Sequence, residues 1–167
     1  VARRAKGYNM TVLYNKHERD EKAESELGVT FASLDDLLAK SDFVSLHVPL
    51  TDETRHMINR DTLTKMKQGA YLINTARGPI VSEADLVEAL RTGHLKGAGL
   101  DVFDNEPNIN SELINMQNVI LTPHIASATY EARAKMGEQA VSAILDLFSG
   151  QKPENLVNQK VWEKRRK

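Results

Sequence analysis

Short apolar runs alternate along the chain with stretches whose apolar positions recur at helical spacing. Thr11–Tyr14, Val29–Phe31, Phe43–Val48, Ala70–Asn74, Gly97–Val102 and Val119–Leu121 read as strands. Asp20–Leu27 reads as a helix ended by Gly28. Ser33 and Asp36 form an approximate capping box ahead of Leu37 and Leu38, and Asn59 caps a short helix running to about Met66. Pro49 stops the third strand, and Gly78-Pro79 marks a turn beyond the fourth. Ser82–Asp85 caps a helix through Leu90, closed by Gly93. The longest helix runs from about Tyr130 to Ser149, with Met136, Ala140, Ala143, Ile144, Leu147 and Phe148 at helical spacing. Val1–Lys6 reads as the last turns of a helix with a glycine cap at Gly7, and the charged tail Glu163–Lys167 as a frayed end.

Strands alternating with helices predict βαβ units in a doubly wound, Rossmann-type parallel sheet. Several strands are apolar at both parities, which predicts helices on both faces. At 167 residues, 41% hydrophobic and 27% charged, the chain has the size and composition of a soluble globular domain. The net charge of −1 gives no electrostatic case for nucleic acid or an anionic membrane as partner. The absence of cysteine excludes disulfides, thiolate catalysis and zinc–thiolate sites, and no His/Asp/Glu cluster has the spacing of metal ligands. No apolar run approaches the ~20 residues of a membrane-spanning helix, and no signal peptide is visible, so the expected location is cytoplasmic.

In an open α/β sheet, ligands sit beyond the carboxyl ends of the strands, so the polar residues there are the candidates. After the first strand come Asn15, Lys16 and Arg19. In a dinucleotide-binding fold an acidic residue at that place accepts a ribose 2′-hydroxyl, whereas cations accept a 2′-phosphate. Asn15 with two cations beside it tilts the reading towards NADP, and a solvated loop with scattered charges fits equally well. His47, between apolar residues, reads as a packed or capping residue rather than a catalyst. His56 and His94 read as surface residues. Arg77, just after the fourth strand, has the planar fork that suits a carboxylate, and Gly78 lets backbone pass close to a ligand. The loop after the glycine-bearing strand holds Asp101, Asp104 and Glu106, from which a carboxylate could orient a histidine. His124 follows Pro123 and precedes small residues, a rigid and uncrowded mounting for a general acid/base. A cation, a carboxylate and a histidine thus stand at three successive strand ends. Such a set can bind an anionic 2-oxo acid and protonate its carbonyl as hydride arrives.

Asn74–Pro79 (NTARGP), Gly99–Pro107 (GLDVFDNEP) and Thr122–Thr129 (TPHIASAT) resemble, in order and spacing, the signatures of the D-isomer-specific 2-hydroxyacid dehydrogenases. Ser127-Ala128-Thr129 is most similar to the glyoxylate/hydroxypyruvate reductase branch. The resemblance implies an oxidoreductase that reduces glyoxylate, hydroxypyruvate or a similar 2-oxo acid to the D-2-hydroxy acid with NADPH or NADH. It implies Arg77 as substrate anchor, His124 as acid/base and Glu106 as the partner of His124. It also implies cofactor contacts from Asn15, Lys16, Arg19, Val48, Pro49, Thr75, Ala76, Arg77, Asp101, His124, Ala126 and Ser127, and a homodimer for the complete protein.

One departure stands out. The family's glycine-rich phosphate loop and first strand precede the helix that ends near Val1–Lys6, and no G-x-G-x-x-G occurs in this sequence. The expectation is a fragment: a partial NAD(P)-binding domain over 1–145, then a C-terminal segment, 146–167, that returns to a substrate domain. Two other readings stand beside the reductase. One is a nucleotide-sensing or protein-binding module of corepressor type on the same scaffold. The other is a truncated chain that is inactive and poorly stable alone because unpaired strand edges invite aggregation.

Overall fold

The structure, a computed structural model, describes residues 1–164; the last three residues of the expected frayed tail lie outside the described residues. Among the described residues six strands are all parallel to their neighbours and fall into two sheets. The smaller sheet pairs β1 (Leu13–Tyr14) with β2 (Thr30–Phe31). The larger runs β3 (Phe43–Leu46), β4 (Tyr71–Asn74), β5 (Gly97–Leu100) and β6 (Val119–Leu121), in that order. Among the described residues no ladder joins the two sheets.

The helices begin where the sequence supplies caps. Asp20 accepts the Ala23 amide at 2.9 Å to start α2 (Glu21–Leu27), which Gly28 ends in the left-handed conformation. Ser33 caps α3 (Leu34–Lys40) through the Asp36 amide. Asn59 and Thr62 form a full capping box at α4 (Arg60–Lys65). Ser82 precedes α5 (Glu83–Arg91) without making the expected side-chain cap; its own amide donates to the Ile58 carbonyl, in the bridge between Ile58 and Val81. The first helix, α1 (Ala2–Ala5), runs on through a 3-10 turn at Lys6–Tyr8. Asn9, not Gly7, takes the left-handed position there, because the extra turn moves the stop two residues on. The sequence reading missed a short helix, α6 (Ser111–Ile114), capped by Asn110.

The core lies against one face of the larger sheet. In register, Val44, Leu72 and Ala98 form one row and Leu46, Asn74 and Leu100 the next, all buried. Leu38 of α3, Leu63 of α4, Leu86, Val87 and Leu90 of α5 and Leu113 of α6 pack onto these rows. The other face differs from the two-sided burial expected. Phe43 and Ile120 are exposed there, and Phe43 stacks on Tyr71 with centroids 5.1 Å apart. The exposure is greatest at the sheet edges: β3 alternates exposed and buried, whereas Tyr71, Ile73 and Gly99 of the central strands are half-buried on that face. Gly97 keeps this face open for the Tyr71 ring, since a Cβ would lie 3.0 Å from it and 2.6 Å from the Asn118 carbonyl.

The chain divides into two compact units, Val1–His124 and the residues from Ile125 onward. The second unit is built on α7 (Tyr130–Phe148), capped by Thr129 through the Ala132 amide. The helix forms where its periodicity predicts, but none of its residues is buried. Among the described residues no helix is long and apolar enough to cross a membrane.

Candidate functional site

Three loops leave the carboxyl ends of β4, β5 and β6, and polar contacts tie them together. The Asn74 side chain, 1% exposed, accepts the Ala76 amide at 3.0 Å and donates to the Arg77 carbonyl at 2.9 Å. It therefore shapes the turn that presents Thr75, Ala76 and Arg77. The Asn74 carbonyl accepts the Asp101 amide, the Leu100 carbonyl accepts the Thr122 amide, and the Thr122 hydroxyl donates to buried Asp101 Oδ1 at 2.5 Å. At Gly78 a Cβ would lie 1.9 Å from the Phe103 carbonyl carbon, so only glycine lets the Arg77 loop press against the Phe103–Asp104 backbone.

This packing brings Arg77, Glu106 and His124 to one edge. Glu106 Oε1 accepts the Phe103 amide at 3.0 Å, and Oε2 is 2.8 Å from His124 Nδ1. A carboxylate only accepts, so Nδ1 carries the proton and Nε2 is left as the reactive tip. The hydrogen bond from His124 holds the Glu106 carboxyl below the ordinary carboxylate range; the Phe103 amide and the charge of Arg77 act in the same direction. His124 itself sits at φ 53, in the left-handed region that side chains other than glycine seldom enter, with its amide bonded to the Thr122 carbonyl. The strained backbone and the carboxylate together fix where the imidazole stands.

Beside this edge, at the ends of β3 and β4, lies an open cleft of about 640 Å³ lined by Leu46, His47, Val48, Pro49, Leu50, Thr75, Ala76 and Arg77. The lining is mostly apolar, with polar groups from His47, Thr75 and Arg77. That composition suits a flat ring bearing polar substituents, and so fits part of a dinucleotide. His47, read from sequence as packed or capping, is exposed on this cleft and bonded to Ser45 Oγ at 2.8 Å; partial burial keeps its pKa below the ordinary value. His94 is half-buried rather than a surface residue, because its Nε2 bonds the Leu63 carbonyl at 2.9 Å. His56 is exposed as expected.

Asn15, Lys16 and Arg19 follow β1, in the smaller sheet. Asn15 donates to the Ala32 carbonyl at 2.9 Å, tying the ends of β1 and β2, and leaves its amide oxygen as an acceptor. Lys16 pairs with Asp20 at 3.5 Å, and Arg19 with Glu24. Ala126 and Ser127 lie in the turn before α7, in the second unit. Sequence reading missed the part played by Asn74. Its signal was a polar residue closing an otherwise apolar strand, directly ahead of the turn it folds.

A parallel sheet flanked by helices, with polar residues gathered at the carboxyl ends of its strands, is the architecture of a dinucleotide-binding domain. Residues 1–126 match the D-isomer specific 2-hydroxyacid dehydrogenase NAD binding domain, and the chain belongs to that family. It is similar to the glyoxylate reductase of Thermococcus onnurineus, 50% identical over 166 residues that make up 99% of this chain and 50% of that protein. Among solved structures it is similar to the Rhodotorula graminis D-mandelate dehydrogenase, with a TM-score of 0.85 and 37% identity over 92% of this chain and 46% of that one. The NADPH-dependent glyoxylate/hydroxypyruvate reductase of Sinorhizobium meliloti, solved with NADP and malonate, gives a TM-score of 0.82 and 37% identity over 89% of this chain and 46% of that one. The chain spans about half the length of the curated relatives it matches.

Proposed function

We propose that the chain supplies the coenzyme-binding and proton-donating half of a reductase acting on glyoxylate, hydroxypyruvate or a similar 2-oxo acid. The observation that carries this reading is the 2.8 Å contact between His124 Nδ1 and a carboxylate that also feels the charge of Arg77. A reduced nicotinamide dinucleotide, when bound, supplies the hydride. Val48 and Pro49 would wall its adenine side, Thr75, Ala76 and Arg77 would contact it near the nicotinamide, and Asn15 and the cations Lys16 and Arg19 would meet its adenosine ribose. Asp101, Ala126 and Ser127 complete the proposed contacts.

The chain's own residues account for the rest of the step. Arg77 offers two parallel N–H groups to the substrate carboxylate and sets its position. His124 gives the Nε2 proton to the oxo oxygen as that oxygen gains charge, and the product is the 2-hydroxy acid. Glu106 keeps the ring in the tautomer that leaves Nε2 outward and supports the charge of the imidazolium before transfer. In the reverse direction neutral Nε2 takes the hydroxyl proton. The same reading places residues 146–167 in a segment returning to a substrate domain, and makes the complete protein a homodimer.

The test is to graft this chain in place of the matching segment of the Thermococcus onnurineus reductase and follow loss of reduced-nicotinamide absorbance with glyoxylate. Turnover is expected, and His124→Asn should lower kcat by about 100-fold or more with coenzyme affinity nearly unchanged. Unaltered turnover in that variant would remove His124 from the chemistry.

A further inference from the structure

The guanidinium of Arg19, in the loop beyond β1, is already engaged. Its Nε donates to Glu24 Oε1 at 2.8 Å and its Nη2 to Oε2 at 2.7 Å. The Tyr14 hydroxyl donates to the same Oε1 at 2.7 Å and accepts the Asp20 amide at 2.7 Å. The Glu24 side chain is 18% exposed, against 61% for Arg19. The acid is thus the fixed member of the pair, pinned on α2 by the last residue of β1, and the arginine is the one that would have to move. Two parallel N–H···O bonds are the strong form of this interaction, the geometry in which an exposed pair stops being negligible.

We propose that Glu24 is a specificity-determining residue for the coenzyme: by occupying the Nε–Nη2 edge of Arg19 it withholds that two-pronged contact from a ribose 2′-phosphate and shifts preference towards the unphosphorylated dinucleotide. The inference rests on the reductase reading above. While the pair stands, a 2′-phosphate can reach only the outer hydrogens of Nη1 and Nη2; to take the Nε–Nη2 edge it must break both bonds and leave the carboxylate with Tyr14 alone, and either way it brings its own negative charge near a second one. A 2′-hydroxyl requires none of this and can donate to the free amide oxygen of Asn15. Lys16 does not replace Arg19, since it is a flexible point charge facing Asp20 at 3.5 Å. Competition does not fade at working pH, because the Arg19 hydrogen bond, with that of Tyr14, lowers the Glu24 carboxyl to about 2.

The full 167-residue chain would be titrated by NMR with 2′,5′-ADP and, separately, with 5′-AMP. Glu24→Gln keeps the side-chain volume and an acceptor for Tyr14 but removes the charge. Preference for 2′,5′-ADP over 5′-AMP should rise about tenfold in that variant, roughly the worth of one charge-assisted contact. Adding Arg19→Ala in the same background should erase the gain. An unchanged preference, or a gain that survives the loss of Arg19, overturns the inference while leaving the reductase reading intact. Binding of neither nucleotide to any form overturns the coenzyme site itself, and the inference with it. Should Glu24→Gln lose the folded spectrum, Tyr14→Phe removes the pinning hydroxyl, with its acceptance of the Asp20 amide, and keeps the ring; a smaller gain in the same direction is expected there, and no gain overturns the proposal.

Discussion

Glu24 and Glu106 are both carboxylates held ionised, by different partners and to different ends. Arg19 lowers Glu24 from the ordinary 4.5 to about 2, and His124 with the Phe103 amide lowers Glu106. A carboxyl whose folded pKa lies below its unfolded one stabilises the fold above the unfolded value, and that support is lost as pH falls through the folded value. Stability should therefore decline between about pH 4.5 and pH 2. Circular dichroism across an acid titration should show a shallower decline for Glu24→Gln, and an identical slope would mean that the pair contributes nothing. Arg77 and His124 stood out as polar residues just past apolar strands, whereas the loop after β5 offered Asp101, Asp104 and Glu106 alike and only the family resemblance singled out Glu106. Asn74 was not assigned a part, because its function is to hydrogen-bond its own turn, and a sequence does not show which backbone groups a side chain will reach. Nor does it show that Arg19, four residues beyond Asn15, is bound to an acid one helical turn into α2.

At the scale of elements, the strands and helices were readable because caps and apolar runs act locally. The departures have local causes too. The 3-10 turn at Lys6–Tyr8 displaced a glycine stop to Asn9, and Ser82 stands at the N-cap of α5 with its amide bonded to Ile58 and no side-chain cap. Gly78 shows what local reading leaves out. Its conformation is ordinary, and what demands glycine is the backbone of a loop some 25 residues away, 1.9 Å from where a Cβ would lie. Gly78→Ala should cost about 1–3 kcal/mol or more by forcing the two loops apart. Urea denaturation would measure it, and in the grafted enzyme turnover should fall with stability, because the same contact sets Arg77 against Glu106. A variant as stable as the parent would show that the loops can separate freely.

At the scale of the whole molecule, the chain carries apolar surface that its described residues do not cover. Met136, Val141, Ile144, Leu145, Leu147 and Phe148 of α7 are all more than half exposed, as is Ile120 at the edge of the larger sheet. Patches of that kind favour association, and unpaired strand edges add to it. The isolated chain should elute from a sizing column at apparent masses that rise with concentration. Ile144→Glu with Phe148→Glu should bring it back towards its 18.7 kDa. A sharp monomeric peak for the parent chain at all concentrations would contradict this. Periodicity alone predicted α7, yet the same stripe of apolar residues would look identical on a helix buried in a core.

The sequence by itself determined the alternation of strand and helix, the parallel arrangement, the family, and which residues follow each strand. These depend on neighbours a few positions apart, where propensity, capping and apolar spacing act. Only the tertiary structure decided that His124 Nδ1 meets Glu106, that Gly78 lets the Arg77 loop close on Phe103, that Arg19 is held by Glu24, and that Phe43 at the edge of the larger sheet stays exposed. Each of these joins segments that are far apart along the chain or reads out whether anything covers a surface. Distances of that kind are set by how whole elements pack, and no local pattern encodes them.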